Sequence, residues 1–449
     1  MHSIRRGRLR IVAGCSFAAL ALLAAALPLS TAHAGLSGVS AVLADGVLQV
    51  TGRDRADAIT LRVRPGDPAV IEVLTGLTRP PEFVFRRAAT ERITVESAAG
   101  DDRLTVDDRF GALGAELPIT ITTGEGNDTV TAGHGDQVVL AGAGDDVVDP
   151  GPGDDHLLLG GGNDRVLWTT AYDSDVVEGQ TGADQIVADG ASTADHLEVN
   201  AVGSRIRLSR PGQPGTVETA SVEDWRVRPA GGADTVVVND LTGAPLAALA
   251  LDLDSAGGGS SDGSADDVTV AGTAGADDIR VEPDGSALEI TGTPQRVRVS
   301  GADHFVDLLV VDADLGSDTL RASPVVGDLL PVRLEGGPGQ DVAVVDGTPL
   351  KDDLSVGTED GRIQVNQSGD GVTTSAEQTT VNGLGGDDLL RVVSPVEEIT
   401  DLAVDGGTGT DSLSGSADQE VLIGGEGDDQ LIGGGGDDVV FGGAGNDHV

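Results

Sequence analysis

Lysine is nearly missing from this chain. Of its 28 basic residues, 27 are Arg and the other is Lys351. Cysteine occurs once, as Cys15, and aromatics make up 2% of 449 residues. Each shortage excludes something. A phosphate-binding loop needs a Lys after Gly, and Lys351 has no such neighbour. One Cys makes no disulfide and no thiolate metal cluster. With few aromatics, the core must be built from Val, Leu, Ile and Ala. Beyond the N-terminal segment no stretch shows sustained helical periodicity or is apolar enough to span a membrane. Positive charge is scarce too: 74 acids leave a formal net charge of −46. Such a surface repels phosphate, which excludes nucleic acid and anionic membranes as partners. What is abundant is Gly, 67 residues, and Asp, 55 against 19 Glu. Asp is a poor helix former and a good turn former, so the chain is expected to turn often and to gather carboxylates at the turns.

Residues 1–34 read as a secretory signal peptide. Arg5, Arg6, Arg8 and Arg10 precede an apolar run from Ile11 to Leu29, and Ala32-His33-Ala34 is a small-residue cleavage site. Arg5-Arg6 raises a twin-arginine route, and Val12-Ala13-Gly14-Cys15 has the outline of a lipidation site, although only a few apolar residues precede it and the apolar run continues well past it. Cleavage before Gly35 removes four Arg and Cys15 and leaves a formal charge of −50. The expected location is extracellular or on the cell surface, without disulfides and without a transmembrane segment in the mature chain.

From Thr123 the sequence falls into blocks of nine: TGEGNDTVT, AGHGDQVVL, AGAGDDVVD, PGPGDDHLL, LGGGNDRVL. Gly holds the second and fourth places, an acid the sixth except at Gln137, and Val or Leu the eighth. From Gly406 the pattern returns: GGTGTDSLS, GSADQEVLI, GGEGDDQLI, GGGGDDVVF, GGAGNDHV. Six Gly-rich residues ending in Asp make a tight turn, and three residues around an aliphatic make a short strand. Two blocks would form one coil of a flattened helix, so turns 18 residues apart stack about 4.8 Å apart. Asp128, Asp146 and Asp164 are expected on one edge and Gln137 and Asp155 on the other. In the second array Asp411, Asp429 and Asp447 would stack opposite Glu420 and Asp438. Two carboxylates about 5 Å apart repel by roughly 3 kcal/mol at an effective dielectric near 20. A hard divalent cation removes that cost, and Ca²⁺ accepts oxygen ligands in flexible geometry better than Mg²⁺ or Zn²⁺.

These blocks resemble the RTX (repeats-in-toxin) nonapeptide family, G-G-x-G-x-D-x-U-x with U a large aliphatic. The resemblance covers about 89 residues, roughly a fifth of the chain. It implies an all-β parallel β-roll or β-solenoid in which several Ca²⁺ ions sit between neighbouring turns. Asp128, Asp146, Asp155, Asp164, Asp411, Asp429, Asp438 and Asp447 match the family's Asp position. The turns of Gly124, Gly126, Gly142, Gly144, Gly425, Gly427, Gly434 and Gly436 would supply carbonyls. Gln137 and Glu420 depart from the pattern, which weakens the edges that contain them.

A looser repeat fills the remainder. Ala56-Asp57-Ala58-Ile59, Ala194-Asp195-His196-Leu197, Ala276-Asp277-Asp278-Ile279 and Lys351-Asp352-Asp353-Leu354 begin alike. Each is followed some 36 to 45 residues later by Asp102-Arg103-Leu104, Asp234-Thr235-Val236, Asp318-Thr319-Leu320 or Asp388-Leu389-Leu390. The expected organisation is a degenerate β module at 35–122, the first array at 123–167, a second module at 168–254 and a Gly/Ser linker at 255–271. A third module, 272–346, contains one RTX-like loop, Gly336 to Asp341; a fourth spans 347–405, and the second array 406–449. Asp residues of these modules are weaker ligand candidates because the Gly spacing is lost, and the Asp341 loop has poorly matching neighbours. Small β-sandwich modules between two short β-rolls are the alternative to one solenoid.

No catalytic constellation emerges. There is no His-Glu-x-x-His, and His134, His156, His196, His304 and His448 are scattered. Gly259-Ser260-Ser261-Asp262-Gly263 matches a nucleophile elbow but sits in the Gly/Ser stretch. Trp168, Trp225 and Tyr172 are expected in packing. The reading is a secreted, non-enzymatic protein whose Asp/Gly turns bind Ca²⁺ and couple folding to external calcium. A calcium-dependent adhesin or matrix scaffold for a cell-surface or polysaccharide ligand is the alternative; a carbohydrate-active enzyme on a β-helix ranks below both.

Overall fold

The computed structural model describes residues 33–34, 37–76, 81–171, 173–254, 263–367, 371–393 and 401–449. Most of the expected signal peptide, the first part of the Gly/Ser linker and Tyr172 lie outside them. The described chain is nearly all β and builds two long ladders of strands. Within the nonapeptide arrays successive strands alternate between the two faces, so each coil contributes one strand to each. Thr129–Thr131, Val147–Asp149 and Arg165–Thr169 pair in parallel on one face. Ile119–Glu125, Gln137–Ala143 and His156–Gly161 do so on the other. Pairing Val130 with Val148 and Val148 with Val166 is a register of 18 residues, two blocks per coil.

The period-two pattern decides what lies between the faces. Val130, Val139, Val148, Leu157 and Val166, the eighth residues of their blocks, are all at most 1% exposed. They pack into one continuous core that runs along the described chain. Trp168 and Trp225 are fully buried in it, as packing residues.

The ladders do not stop at the ends of the arrays. Arg165–Thr169 pairs in parallel with Gln185–Asp189, then that strand with Asp224–Arg228 and the next with Ala248–Asp252. The architecture is therefore a β-solenoid. Its degenerate modules do more than lengthen the turns: each contributes a three-stranded antiparallel meander to one face. The four are Ala58–Arg64, Asp67–Thr75 and Phe83–Arg86; His196–Val202, Arg205–Ser209 and Thr216–Ala220; Asp278–Asp284, Ala287–Thr291 and Arg296–Ser300; and Asp353–Glu359, Arg362–Asn366 and Val372–Thr374.

The meanders explain the paired phrases of the sequence. The first strand of each pairs in parallel with the strand of the second phrase: Ile59 with Leu104, Leu197 with Val236, Ile279 with Leu320, and Leu354 with Leu390. The phrases 36 to 45 residues apart are therefore neighbours in space. In the last three modules the third meander strand returns to pair in parallel with the preceding rung: Val177 with Thr219, Leu249 with Val297, and Leu334 with Thr374.

Candidate metal centre

The sixth-position carboxylates are buried, and they form a ladder of their own. The backbone N–H of Asp128 donates to Oδ1 of Asp146 at 2.7 Å, and that of Asp146 to Oδ1 of Asp164 at 2.8 Å. Below, Asp57 donates to Asp102 and Asp102 to Asp128, both at 2.7 Å; above, Asp164 donates to Asp184 at 2.9 Å. On the opposite edge Gln137 donates to Asp155, and Asp155 to Asp175. At the C-terminal end the ladder runs Asp352, Asp388, Asp411, Asp429, Asp447, and Glu420 donates to Asp438 on the other edge. The expected stacks are thus present. One expectation changes: these carboxylates do not simply face one another, because one oxygen of each accepts an amide from the adjoining rung.

The second oxygen sorts the turns into two kinds. In one kind, the amide of the second turn residue closes onto it: Arg53 N–H on Asp57, Thr273 on Asp277, and Thr348 on Asp352, at 2.6 to 2.8 Å. Ala191 does the same for Asp195, Asp303 for Asp307 and Ser416 for Glu420. In the other kind the second residue has positive φ, as at Gly142, Gly160, Gly407 and Gly425. Its amide is turned away, and Oδ2 of Asp146, Asp155, Asp164, Asp411 and Asp429 is buried with no hydrogen-bond partner. A buried polar atom left bare costs about 1–3 kcal/mol, so each open turn offers an oxygen that a cation can take up.

Burial, the first cause in each case, raises these carboxyls above the ordinary Asp range. Asp146 is pushed up to about 7, Asp155 to about 8 and Asp411 to about 6. Asp128 and Asp164 are raised as well. The glycines bring carbonyls in close. A Cβ on Gly144 would collide with the carbonyl oxygen of Gly126, and one on Gly142 with that of Gly124; Gly427 and Gly425 stand in the same relation to Gly409 and Gly407. At Gly434 and Gly436 the neighbouring carbonyls belong to Ser416 and Asp418, the residues that replaced glycine. Asp438 and Asp447 sit on the last coil and are half-buried.

Among the described residues no three His, Cys, Asp or Glu side chains form a cluster that could hold a metal ion. A cation between two rungs would therefore take much of its oxygen from turn carbonyls, which suits Ca²⁺. Gln137 shows what happens without a carboxylate: its Nε2 donates to the carbonyl of His134, at 3.0 Å, filling its own turn with an amide. Trp168 Nε1 likewise occupies Oδ2 of Asp175 at 2.6 Å. His134 is exposed and hydrogen-bonded to Asp108.

Sequence reasoning missed two features. The fifth residues form an outer ladder of opposite sense, in which Asp145 donates to Oδ1 of Asn127 and Asn163 to Oδ1 of Asp145, at 2.9 and 2.7 Å. The alternation of Asn and Asp at that place was the available signal. Five further turns also have a non-Gly second residue at positive φ: Ala98, Gln180, Ala230, Asp314 and Leu384. Each keeps the fourth-place Gly and sixth-place Asp, as in Gly182-Ala183-Asp184, so G-x-D before an aliphatic was the signal there.

A parallel solenoid with stacked Gly/Asp turns, each sixth-place carboxylate holding the adjoining rung through one oxygen, has the architecture of a β-roll. Residues 120–148, 135–166 and 414–449 match the family model of the RTX calcium-binding nonapeptide repeat (4 copies). The chain carries the repeats of that family in these segments. No curated protein matches the chain. No helix among the described residues is long and apolar enough to cross a membrane.

Proposed function

We propose that this chain is a secreted, non-catalytic calcium-binding solenoid whose open Asp/Gly turns take up Ca²⁺ and couple folding to external calcium. The observation that carries this reading is the run of buried Oδ2 atoms without partners on consecutive rungs at Asp146 and Asp164, and at Asp411 and Asp429. Asp128, Asp155, Asp438 and Asp447 occupy the same place in their turns. Ca²⁺ supplies positive charge to buried carboxylates and gathers turn carbonyls; the chain supplies the register that stacks them. With Kd on the order of 10⁻⁴ M, roughly millimolar calcium stabilises the fold by about 1.4 kcal/mol per site. Where calcium is scarce, that stabilisation disappears and the excess negative charge loosens the chain. Circular dichroism and calorimetry of residues 35–449 with EGTA, Ca²⁺ or Mg²⁺ test this. A rise in β content and melting temperature specific to Ca²⁺ is expected; no heat and no change on adding Ca²⁺ would refute it.

A further inference from the structure

The turn ending at Asp341 lies outside both arrays, and its sequence neighbours match the nonapeptide poorly. Its spatial neighbour does not. Asp314-Leu315-Gly316-Ser317-Asp318 lacks the second-place glycine, yet Asp314 takes φ +67° and Gly316 φ +157°, the turn of a regular repeat. The two turns are in register: Gly316 bridges Gly339 in parallel, and the amide of Asp318 donates to Oδ1 of Asp341 at 2.9 Å. A Cβ on Gly339 would strike the Gly316 carbonyl, and one on Gly337 the Asp314 carbonyl, so the backbones approach as closely as in the arrays.

Asp318 and Asp341 are each 1% exposed, and Oδ2 of each is buried with no hydrogen-bond partner. The pair is bounded on both sides. Below it, the Asp277 turn is closed by the amide of Thr273; above it, Glu377 accepts the amide of Asp341 at 2.9 Å. Two buried carboxylates, two unused oxygens and two closely stacked turns thus stand alone in the middle of the solenoid, outside the segments that match the repeat family.

We propose that the stacked turns of Asp318 and Asp341 form a separate calcium site, independent of the two arrays. It rests on the reading that open turns of this chain take Ca²⁺, and extends that reading to a turn whose glycine has been lost while its geometry has been kept. The backbone strain at Asp314 is then tolerated because the bound ion repays it.

The test counts bound Ca²⁺ on the full chain by equilibrium dialysis with metal analysis, with hydrogen exchange as the local readout. Asp318→Asn with Asp341→Asn is expected to bind one ion fewer and to lose calcium-induced protection at 314–320 and 336–342. Protection within 123–166 and 406–449 should persist. The reciprocal variant, Asp146→Asn with Asp429→Asn, should leave the middle turns responsive. Asp314→Gly is expected to tighten the middle site several-fold without changing the count, which keeps the proposal testable where the double variant fails to fold. Arrays that gain protection in Ca²⁺ while 314–320 and 336–342 do not would overturn this site alone. A chain in which neither responds overturns the array reading with it.

Discussion

The amide of Asp146 donates to Oδ1 of Asp164, 2.8 Å away, while Oδ2 of both residues is buried without a partner. One carboxylate therefore has two separable tasks, holding the next rung and holding a cation. Asp164→Ala removes both. It strands a buried amide, which costs about 1–3 kcal/mol with or without calcium. Asp164→Asn keeps an oxygen for the amide and removes the charge. Its metal-free stability should equal or exceed that of the parent, because a bare buried oxygen and its charge are removed, while the increment on adding Ca²⁺, about 1.4 kcal/mol per site, is lost. Denaturation in EGTA and in millimolar Ca²⁺ separates the two. An Asn variant that keeps the full calcium increment would show that Asp164 is only a rung holder.

The raised carboxyls predict an unusual pH profile. Asp146 and Asp155 titrate near 7 and 8 in the fold against about 4 in an unfolded chain. The folded state binds the extra protons, so the stability these groups contribute is fully present below about pH 4 and is lost as pH rises through 7 and 8. The metal-free solenoid should be more stable at pH 5 than at pH 8. Calcium reverses the trend, because it replaces those protons. Calorimetric titrations near pH 7 in buffers of different ionisation enthalpy should then report proton release on binding. A metal-free chain that gains stability from pH 5 to pH 8 contradicts the assignment.

The register was readable because Gly, a sixth-place acid or amide and an eighth-place aliphatic keep their spacing through two runs of five blocks, and a period of nine admits few packings. Asp128, Asp146 and Asp164 could be placed on one edge from spacing alone. The meanders could not. The Asp57 and Asp102 phrases are visible as a repeat, but 45 residues of separation do not say that the two strands touch. The Asp-Gly turn signals at Asp284-Gly285 and Asp360-Gly361 mark hairpins, although they do not reveal which ladder receives them. Nor does sequence reveal that Ala98 or Leu384 takes positive φ, since both residue types disfavour it; stacking imposes that conformation. The closure of Asp57 and Asp277 by local amides was hidden for the same reason, because it depends on the φ of Arg53 and Thr273.

Leu384 has φ +70° and a half-exposed side chain, so the residue carries strain without much burial to offset it. The left-handed region costs a non-Gly residue roughly 1–2 kcal/mol. Part of the gain on substitution is lost to the greater freedom of Gly in the unfolded chain. Leu384→Gly should therefore stabilise the fold by up to about 1 kcal/mol, seen as a higher melting temperature in EGTA. Its neighbours Asp388 and Asp411 should bind calcium no more weakly. A lower melting temperature would mean that the Leu384 side chain contributes packing that exceeds its strain.

Gln137 offers the reverse experiment. Gly133 has φ +87°, so this turn is already of the open kind, and the amide of Gln137 already donates to Oδ1 of Asp155. What differs is the amide nitrogen on the His134 carbonyl. Gln137→Asp withdraws that nitrogen, frees the carbonyl and places a second buried carboxylate beside Asp155. Without calcium the change should cost about 1–3 kcal/mol, the price of a buried acceptor left bare. With calcium the cost should vanish, and dialysis should count one more bound ion than in the parent chain. The size of the cost thus depends on the metal, which a simple packing defect cannot reproduce. If the cost persists in millimolar Ca²⁺ and the count does not rise, then an open turn with a sixth-place Asp is not sufficient to make a site.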